Sequence, residues 1–201
     1  MKPDAKWAAL FAACTSTATI TAPAAPPEPP VSRCAGLASK KGPAVDEPPS
    51  PPLLATLDQV HTGEHVVLDS VSPALGRFEA LLADRVTGAR HAIDDRLLGL
   101  LRALAARHPG ARIEIVSGFR SPKFNEMLRK KGHHVASHSQ HSLGHACDFR
   151  IVTPDEDAPL EPREVEREIR DLGWSGGVGV YPTKDDRFVH ADVGPNRSWT
   201  N

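Results

Sequence analysis

The most informative segment of the chain is Ser139-Gln140-His141-Ser142-Leu143-Gly144-His145-Ala146-Cys147-Asp148, which continues with Phe149-Arg150-Ile151-Val152. A separation of seven residues between His141 and Asp148 fits one face of a helix, but Gly144 and the run after it favour a loop that leads into a strand. Side chains alternate along a strand, so the apolar set faces the core and Asp148 points to the other side, toward His141. The core-facing set consists of Cys147, Phe149 and Ile151.

A second stretch, Arg187-Phe188-Val189-His190-Ala191-Asp192-Val193, adds another ligand. The same alternation puts His190 on one strand face together with Phe188 and Asp192. Two imidazoles and one carboxylate are a usual catalytic zinc set, because three protein ligands leave the fourth tetrahedral position open for water. The metal lowers the pKa of that water and polarises the carbonyl under attack, so no serine or cysteine nucleophile is needed. The residues therefore predict one zinc ion per chain, held by His141, Asp148 and His190.

The chain beyond residue 53 reads as a mixture of strands and helices. Strands are predicted as a pair within residues 54–67 that turns at 61–64, and at residues 112–116, 146–152, 177–181 and 187–193. Helices are predicted at residues 77–84, 94–108, 121–131 and 161–172. Ser121 is expected to cap the third helix, with Pro122 in its first turn. This order of elements predicts an α+β fold.

Charge and cysteine content exclude several classes of function. The 201 residues carry 24 Lys and Arg against 25 Asp and Glu, so the chain lacks the basic excess that holds nucleic acid phosphates. The three cysteines, Cys14, Cys34 and Cys147, form no CxxC pair that would indicate a thiolate zinc site or a redox dithiol. We therefore expect no nucleic acid partner and a fold that does not depend on disulfides.

The first 52 residues differ in composition from the rest. Residues 1–14 resemble a secretory signal peptide, with an apolar run too short to span a bilayer; the alternative is a disordered alanine-rich leader. Leu10-Phe11-Ala12-Ala13-Cys14 also resembles a lipoprotein cleavage box, which would place a lipid on Cys14 as the one membrane contact. Residues 15–52 are rich in Ala, Pro, Ser and Thr and predict an extended linker. We expect an exported protein of the periplasm or cell envelope, with its catalytic domain at residues 53–201.

The motif Ser-x-His-x-x-Gly-x-Ala-x-Asp with a later histidine resembles the zinc D,D-peptidase clan, which includes D-Ala-D-Ala carboxypeptidases. Further segments narrow the resemblance to the murein endopeptidase K family. They are residues 57–64 and 82–101, Ser117-Gly118-Phe119-Arg120-Ser121-Pro122 with Asn125, residues 176–181, Phe188-Val189-His190 and residues 194–199. The resemblance implies a Hedgehog/D,D-peptidase-like fold, a small and mainly antiparallel sheet with flanking helices, and zinc at the three ligands above. It also implies that stem peptides of peptidoglycan are the substrate.

By the same resemblance, Arg120 binds substrate and stabilises the developing oxyanion, which a fixed guanidinium can do. The alternative is a salt bridge from Arg120 that ties its turn to an acidic neighbour. Ser139 is assigned to substrate binding together with Arg120, and Asn125 is expected to brace the turn.

The proton acceptor is the group that the sequence leaves open. Members of the wider clan carry Glu or His shortly before the last zinc histidine, where this chain has Arg-Phe-Val. Asp192 is the first candidate for the base, because it shares the strand face of His190 and lies two residues from it. His138 is the second candidate. Asp192 could instead orient a ligand imidazole, and the sequence does not choose between the two roles.

The predicted function is zinc-dependent hydrolysis of peptide cross-links in bacterial peptidoglycan by a monomeric enzyme of cell-wall remodelling. The sequence does not decide whether the bond lies between D-Ala and diaminopimelate or between two diaminopimelates. Three alternatives stay open: a D,D- or L,D-carboxypeptidase, a non-catalytic peptidoglycan-binding module in which the metal only braces the fold, and a metal-free protein in which Asp148 and His190 only make hydrogen bonds. The missing clan base motivates the second alternative.

Overall fold

Seven strands, four α-helices and one 3-10 helix make up residues 50–131, 139–184 and 186–201, the part of the chain that this computed structural model describes. The strands are β1 (Ala55–Gln59), β2 (Glu64–Leu68), β3 (Ala111–Ser117), β4 (Ala146–Val152), β5 (Gly177–Tyr181), β6 (Phe188–Asp192) and β7 (Arg197–Thr200). The α-helices are α1 (Leu75–Leu81), α2 (Asp95–Arg107), α3 (Pro122–Lys130) and α4 (Pro162–Asp171). The 3-10 helix spans Gln140–Leu143 and leads into β4.

All the strands belong to one sheet, in the order β2-β1-β3-β4-β6-β5-β7. The pairs β1–β3 and β5–β7 are parallel, and the other four neighbouring pairs are antiparallel. The prediction of an α+β fold with a mainly antiparallel sheet is therefore confirmed. Strand β7 was not predicted, because its four residues are mostly exposed and carry no alternating apolar pattern.

The hydrophobic core lies against one face of this sheet. The three residues of β4 predicted to face the core, Cys147, Phe149 and Ile151, are buried there. Helix α2 adds a stripe of buried leucines, Leu97, Leu98, Leu100, Leu101 and Leu104. Burying one leucine side chain contributes roughly 2 kcal/mol. Since a shift of one residue would move the apolar side chains of β4 out of the core, this burial also fixes the opposite direction for Asp148.

The helix ends follow local chemistry that the sequence displays. The Ser121 hydroxyl accepts a hydrogen bond from the backbone N–H of Phe124 at 3.2 Å, and Pro122 occupies the first position of α3, as predicted. Helix α1 ends at Leu81 although a helix was predicted to residue 84. Beyond it the backbone N–H groups of Val86 and Thr87 donate to the Asp84 carboxylate, at 2.8 and 2.9 Å, and the Leu82 carbonyl accepts from the backbone N–H of Phe119, at 2.7 Å, in place of a further helical turn.

The predicted leader lies outside the described residues, as do Cys14 and almost all of the predicted linker at 15–52. The described residues belong to one compact unit. Within them, no helix has the length and apolar character that crossing a membrane requires.

Candidate metal centre

The site lies in a row of residues that crosses five neighbouring strands on one face of the sheet. Residues in register on neighbouring strands point to the same side. In strand order the row is Ser117, Asp148, His190, Gly179 and Trp199. His141 reaches the row from the 3-10 helix that precedes β4. The sheet thus gathers residues that are far apart in the sequence.

The three predicted metal ligands converge on one point. His141 Nε2 lies 3.1 Å from Asp148 Oδ1 and 3.1 Å from His190 Nδ1, and these last two atoms are 2.7 Å apart. All three residues are buried, with between 2% and 8% of their surface exposed. Ligand atoms around a tetrahedral zinc ion lie about 3.3 Å apart, so a small outward shift of the three atoms would admit the ion. Within the described residues, this trio is the group of His, Cys, Asp and Glu side chains able to hold a metal ion.

The hydrogen bonds on the far side of each ring fix which nitrogen faces the centre. His141 Nδ1 lies 2.7 Å from the carbonyl oxygen of Gly118, which can only accept, so Nδ1 carries the hydrogen and Nε2 presents a lone pair. His190 Nε2 lies 3.0 Å from a carboxylate oxygen of Asp192, which leaves the Nδ1 lone pair of the neutral ring facing inward. Two nitrogen lone pairs and a carboxylate oxygen that meet in a buried space repel one another unless a proton or a metal cation lies between them. The donor set therefore fits a divalent metal ion.

Burial and neighbouring charges set the protonation of these groups. Burial lowers the pKa of His141 to about 4, so its imidazole is neutral at pH 7. Burial alone would raise the pKa of Asp148, but His141, His190 and Arg120 outweigh it and hold that pKa well below its usual range. Burial alone would lower the pKa of His190, but Asp148 and Asp192 outweigh it and raise that pKa. A proton on His190 and a metal ion therefore compete for the same position.

Arg120 is bound to the carboxylate of Asp148, one of the three predicted metal ligands. Its Nη2 donates to Asp148 Oδ2 at 2.7 Å, and its Nε donates to the Ser117 hydroxyl at 3.0 Å. The Arg120 side chain is 13% exposed and that of Asp148 is 5% exposed, so solvent screens this pair weakly. The salt bridge that the sequence offered as an alternative is thus present, and it turns the other oxygen of Asp148, Oδ1, toward the histidines. The predicted contact of Arg120 with substrate stays a prediction.

The turn that carries Arg120 is held by the segment after α1. A Cβ on Gly118 would lie 2.5 Å from the carbonyl oxygen of Leu82, so only glycine permits this close approach. The Asp84 carboxylate accepts from the backbone N–H of Ser121 at 2.7 Å. These contacts place both the guanidinium of Arg120 and the Gly118 carbonyl that orients His141.

Asp192 is fully buried, and its carboxylate accepts four hydrogen bonds. Its Oδ2 accepts from His190 Nε2 at 3.0 Å and from Arg197 Nη2 at 2.8 Å. Its Oδ1 accepts from the backbone N–H groups of Gly177 and Gly194, at 3.2 and 2.8 Å. Burial alone would raise its pKa, but His190, Gly194 and Arg197 outweigh it and lower the pKa. Of the two roles that the sequence left open, these contacts favour orientation of His190 over proton transfer.

Ser139 supports the loop that carries the first ligand. Its hydroxyl accepts from the backbone N–H of His141 at 3.3 Å and caps the 3-10 helix. Ser139 also lines a cleft of about 390 Å³ between α3 and the 3-10 helix, together with Asn125 and Ser142. Its assignment to substrate binding stays a prediction. His138, the second candidate base, lies outside the described residues.

Two aromatic residues neighbour the centre; the sequence reasoning gave Tyr181 no role, and for Trp199 it left open the lining of a substrate groove and packing under the sheet. Tyr181 ends β5 beside the site, and Trp199 of β7 packs at a tilt against His190, with 5.2 Å between ring centroids. Gly177 and Gly179 could have indicated close neighbours in the sequence, because glycines within a strand mark places where another group approaches the backbone closely. Added side chains there would meet Asp192 and Trp199 respectively.

Comparison with known proteins finds a family and relatives that carry the same name. The family described as peptidoglycan L,D-endopeptidase MepK matches residues 52–199 of this chain. The probable peptidoglycan L,D-endopeptidase MepK of Haemophilus influenzae is 34% identical over 158 residues, which cover 74% of this chain and 79% of that protein. The peptidoglycan L,D-endopeptidase MepK of Escherichia coli strain K12 is 30% identical over 158 residues, which cover 74% and 80%.

Among solved structures, the L-Ala D-Glu endopeptidase ChiX of Serratia marcescens is similar with a TM-score of 0.39 and 14% identity. That similarity covers 61% of this chain and 94% of the ChiX chain.

Proposed function

The chain belongs to the peptidoglycan L,D-endopeptidase MepK family, and from this membership we propose that it uses zinc, bound by His141, Asp148 and His190, to cut peptide cross-links of the bacterial cell wall. It is a peptidase whose substrate is peptidoglycan. The observation that carries the proposal is the convergence of three buried donor atoms within 3.1 Å of one another on the face of the sheet opposite the core.

The ligand set suits hydrolysis as well as binding. Three protein ligands leave one tetrahedral position free, which distinguishes catalytic from structural zinc sites. A zinc ion held there supplies a Lewis acid for the substrate carbonyl and lowers the pKa of water to near neutrality. The protein's own groups supply orientation. Gly118 and Asp192 fix the tautomers of the two histidines, while Arg120 holds one oxygen of Asp148 so that the other faces the centre.

The name of the relatives indicates which cross-link is cut. An L,D-endopeptidase hydrolyses a bond between a carbonyl on an L-centre and an amine on a D-centre. Of the two bonds that the sequence left open, the one between two diaminopimelates has this stereochemistry. We therefore propose that bond for this chain. Mass spectrometry of the released muropeptides distinguishes it from the D-Ala–diaminopimelate bond and from loss of a single terminal residue by a carboxypeptidase.

Purified protein incubated with murein sacculi tests the activity directly. Shortened muropeptides should appear, a chelator should stop their release, and added zinc should restore it. His141→Ala should abolish both release and zinc binding. The matched control is His65→Ala, which removes a histidine that is paired with Asp58 and is mostly exposed on the far part of the sheet.

The same experiment separates catalysis from a structural metal. A wall-binding module would sediment with sacculi and leave their muropeptide profile unchanged, while His141→Ala would lower its Tm. That pattern would overturn the proposal. Protein that contains no stoichiometric metal after purification, and that gains none from added zinc, would also contradict it.

For the proton acceptor, we propose that Asp192 orients His190 and that His138 is the remaining candidate for the base. The four donors around Asp192 support the first part, because a carboxylate so engaged is a weak proton acceptor. His138→Ala should lower kcat and leave zinc content unchanged. An unchanged kcat would exclude His138.

Export and lipid attachment rest on the sequence of residues 1–14. We propose that this leader directs the enzyme to the cell envelope and that Cys14 carries a lipid there. Metabolic labelling with a fatty acid should mark the wild-type protein and not Cys14→Ser. Labelled Cys14→Ser, or wild-type protein that stays in the cytoplasm on fractionation, would contradict this proposal.

A further inference from the structure

Tyr181, the single tyrosine of the chain, lies beside the proposed zinc centre. It is paired in register with Phe188, two residues before His190 on β6, so its side chain shares the sheet face of the site. Its ring stacks on that of Phe188 with 4.4 Å between centroids and 13° between planes. The indole of Trp199 contacts both the Tyr181 hydroxyl and the His190 ring, which places the phenol close to the centre.

One neighbour directs the hydroxyl of Tyr181. The indole Nε1 of Trp199 lies 3.4 Å from the phenolic oxygen. An indole N–H can only donate, so the phenolic oxygen accepts in this contact and its own hydrogen is left to donate elsewhere. Among residues 50–131, 139–184 and 186–201, no acceptor is hydrogen-bonded to that hydrogen.

Trp199 is itself held in place. Its indole lies over Gly179, where an added Cβ would come within 2.5 Å of the ring. The guanidinium carbon of Arg197, on the same strand, lies 5.0 Å from the centroid of the Trp199 ring. The centroid of the His190 ring lies 5.2 Å from that of Trp199. The partner that orients the Tyr181 hydroxyl is thus anchored to the strand row that carries the metal ligands. Such fixed placement is what a preorganised donor requires.

We propose that Tyr181 is a catalytic residue whose hydroxyl donates a hydrogen bond to the carbonyl oxygen of the peptide bond under hydrolysis. This inference rests on the proposed function. That oxygen gains negative charge when water adds to the carbonyl carbon, and a donor already oriented in a half-buried site stabilises this charge more than it stabilises the ground state. The family resemblance assigned stabilisation of this oxygen to Arg120. In the structure, Arg120 Nη2 donates to Asp148 and Nε donates to the Ser117 hydroxyl.

The first test is the variant Tyr181→Phe, which keeps the ring stacked on Phe188 and removes only the hydroxyl. Loss of one oxyanion donor typically lowers kcat by about 100-fold, and we expect that fall here with KM changed by no more than about threefold. Zinc content and Tm should match the wild type. Thr183→Val is the matched control. It removes an exposed hydroxyl two residues away that donates a hydrogen bond to Asp186 at 3.3 Å.

The second test does not depend on turnover. Since the chain has one tyrosine, growth on 3-fluorotyrosine introduces a single fluorine probe at residue 181. Titration of the chelator-treated protein with a purified cross-linked muropeptide should shift its ¹⁹F resonance. A resonance that stays fixed at saturating muropeptide would overturn the proposal.

The outcomes separate this proposal from the function on which it rests. If wild-type protein cuts sacculi and Tyr181→Phe is equally active, the tyrosine proposal fails and the peptidase proposal stands. If the fall in kcat is accompanied by an equal loss of zinc or by unfolding, Tyr181 is structural and the proposal fails. If wild-type protein cuts nothing, the proposed function fails whatever the fluorine probe reports.

Discussion

The two histidines of the centre are supported in different ways. His141 sits on a short 3-10 helix and donates to a backbone carbonyl, that of Gly118, at 2.7 Å. His190 sits within the sheet and donates to a carboxylate, that of Asp192, at 3.0 Å. The first support is neutral and depends on how two loops pack against each other. The second carries a charge and depends on one side chain.

The two halves of the site therefore tolerate different substitutions. No side-chain substitution can remove the Gly118 carbonyl, so the His141 half fails only when the backbone moves, and stability fails with it. The His190 half can be altered by changing Asp192 or its partner Arg197 without moving the backbone. We therefore expect the first half to respond to steric changes and the second to respond to charge and pH.

The largest effect is expected from Gly118→Ala, which displaces the backbone whose carbonyl holds His141. The new Cβ would lie 2.5 Å from the Leu82 carbonyl oxygen and 2.6 Å from its Cβ, so the turn must move. We expect a loss of about 3 kcal/mol in the free energy of unfolding and loss of most zinc affinity. Thermal denaturation and zinc titration measure the two effects.

Gly99→Ala in the middle of α2 is the matched control. It adds the same methyl group where, apart from the backbone of the helix itself and the adjoining residues, no atom lies within 4 Å of the new Cβ. Because alanine favours a helix interior more than glycine does, it should raise the free energy of unfolding by up to about 1 kcal/mol and leave zinc affinity unchanged. Equal destabilisation by both variants would show that the Gly118 contact is not special.

The second largest effect is expected from Asp192→Asn, which removes the negative charge that holds His190. An amide group would place an N–H donor against His190 or against the backbone N–H groups of Gly177 and Gly194. We expect zinc affinity to fall 10- to 100-fold, with the fold intact by circular dichroism. Competition with a chromophoric chelator measures the affinity, and Asp171→Asn on the exposed end of α4 is the control.

The same variant decides the role of Asp192. An orienting residue would lower zinc affinity and leave kcat of the zinc-saturated enzyme within about tenfold of the wild type. Unchanged affinity with a collapse of kcat would instead identify Asp192 as the base and contradict our assignment.

The two histidines should also differ in how pH affects zinc binding. The pKa of His190 is raised above 6.5. At a pH below that raised pKa, a proton must leave His190 before zinc binds. Zinc affinity should therefore fall about tenfold for each unit by which the pH is lowered. The pKa of His141 is about 4, so its proton competes only in strongly acidic solution. Calorimetric titrations between pH 5 and 8, as a rough working range, measure the slope. In Asp192→Asn the onset should move to lower pH, because a group that raises the pKa of His190 is lost.

The smallest effect is expected from Arg197→Gln. Arg197 donates to Asp192 at 2.8 Å, but its side chain is 43% exposed, so solvent screens the pair. We expect zinc affinity to fall only two- to fivefold, about 0.4 to 1 kcal/mol by the usual conversion. A loss as large as that of Asp192→Asn would mean that Arg197, and not the carboxylate alone, determines how His190 is held.

Most of the fold could be predicted because its local signals agree with its packing. The alternation in residues 146–152 gave the bounds and the facing of β4, since one side of that strand is buried and the other carries Asp148. Strand β7 could not be predicted, because its pairing with β5 depends on Trp199 packing over Gly179 and not on a periodic pattern. The end of α1 was misplaced because contacts of Asp84 and a distant backbone contact at Leu82 stand in place of a further helical turn.

Alternation along β4 and β6 predicts that Asp148 and His190 face away from the core, and the motif before β4 adds His141 to them. The tertiary structure adds the groups that support these three side chains: a carbonyl behind His141, a carboxylate behind His190 and a guanidinium behind Asp148. It also placed Tyr181 and Trp199 beside them. The physical reason is that strand periodicity is local, whereas hydrogen bonds between loops and between sheet neighbours depend on which elements pack together.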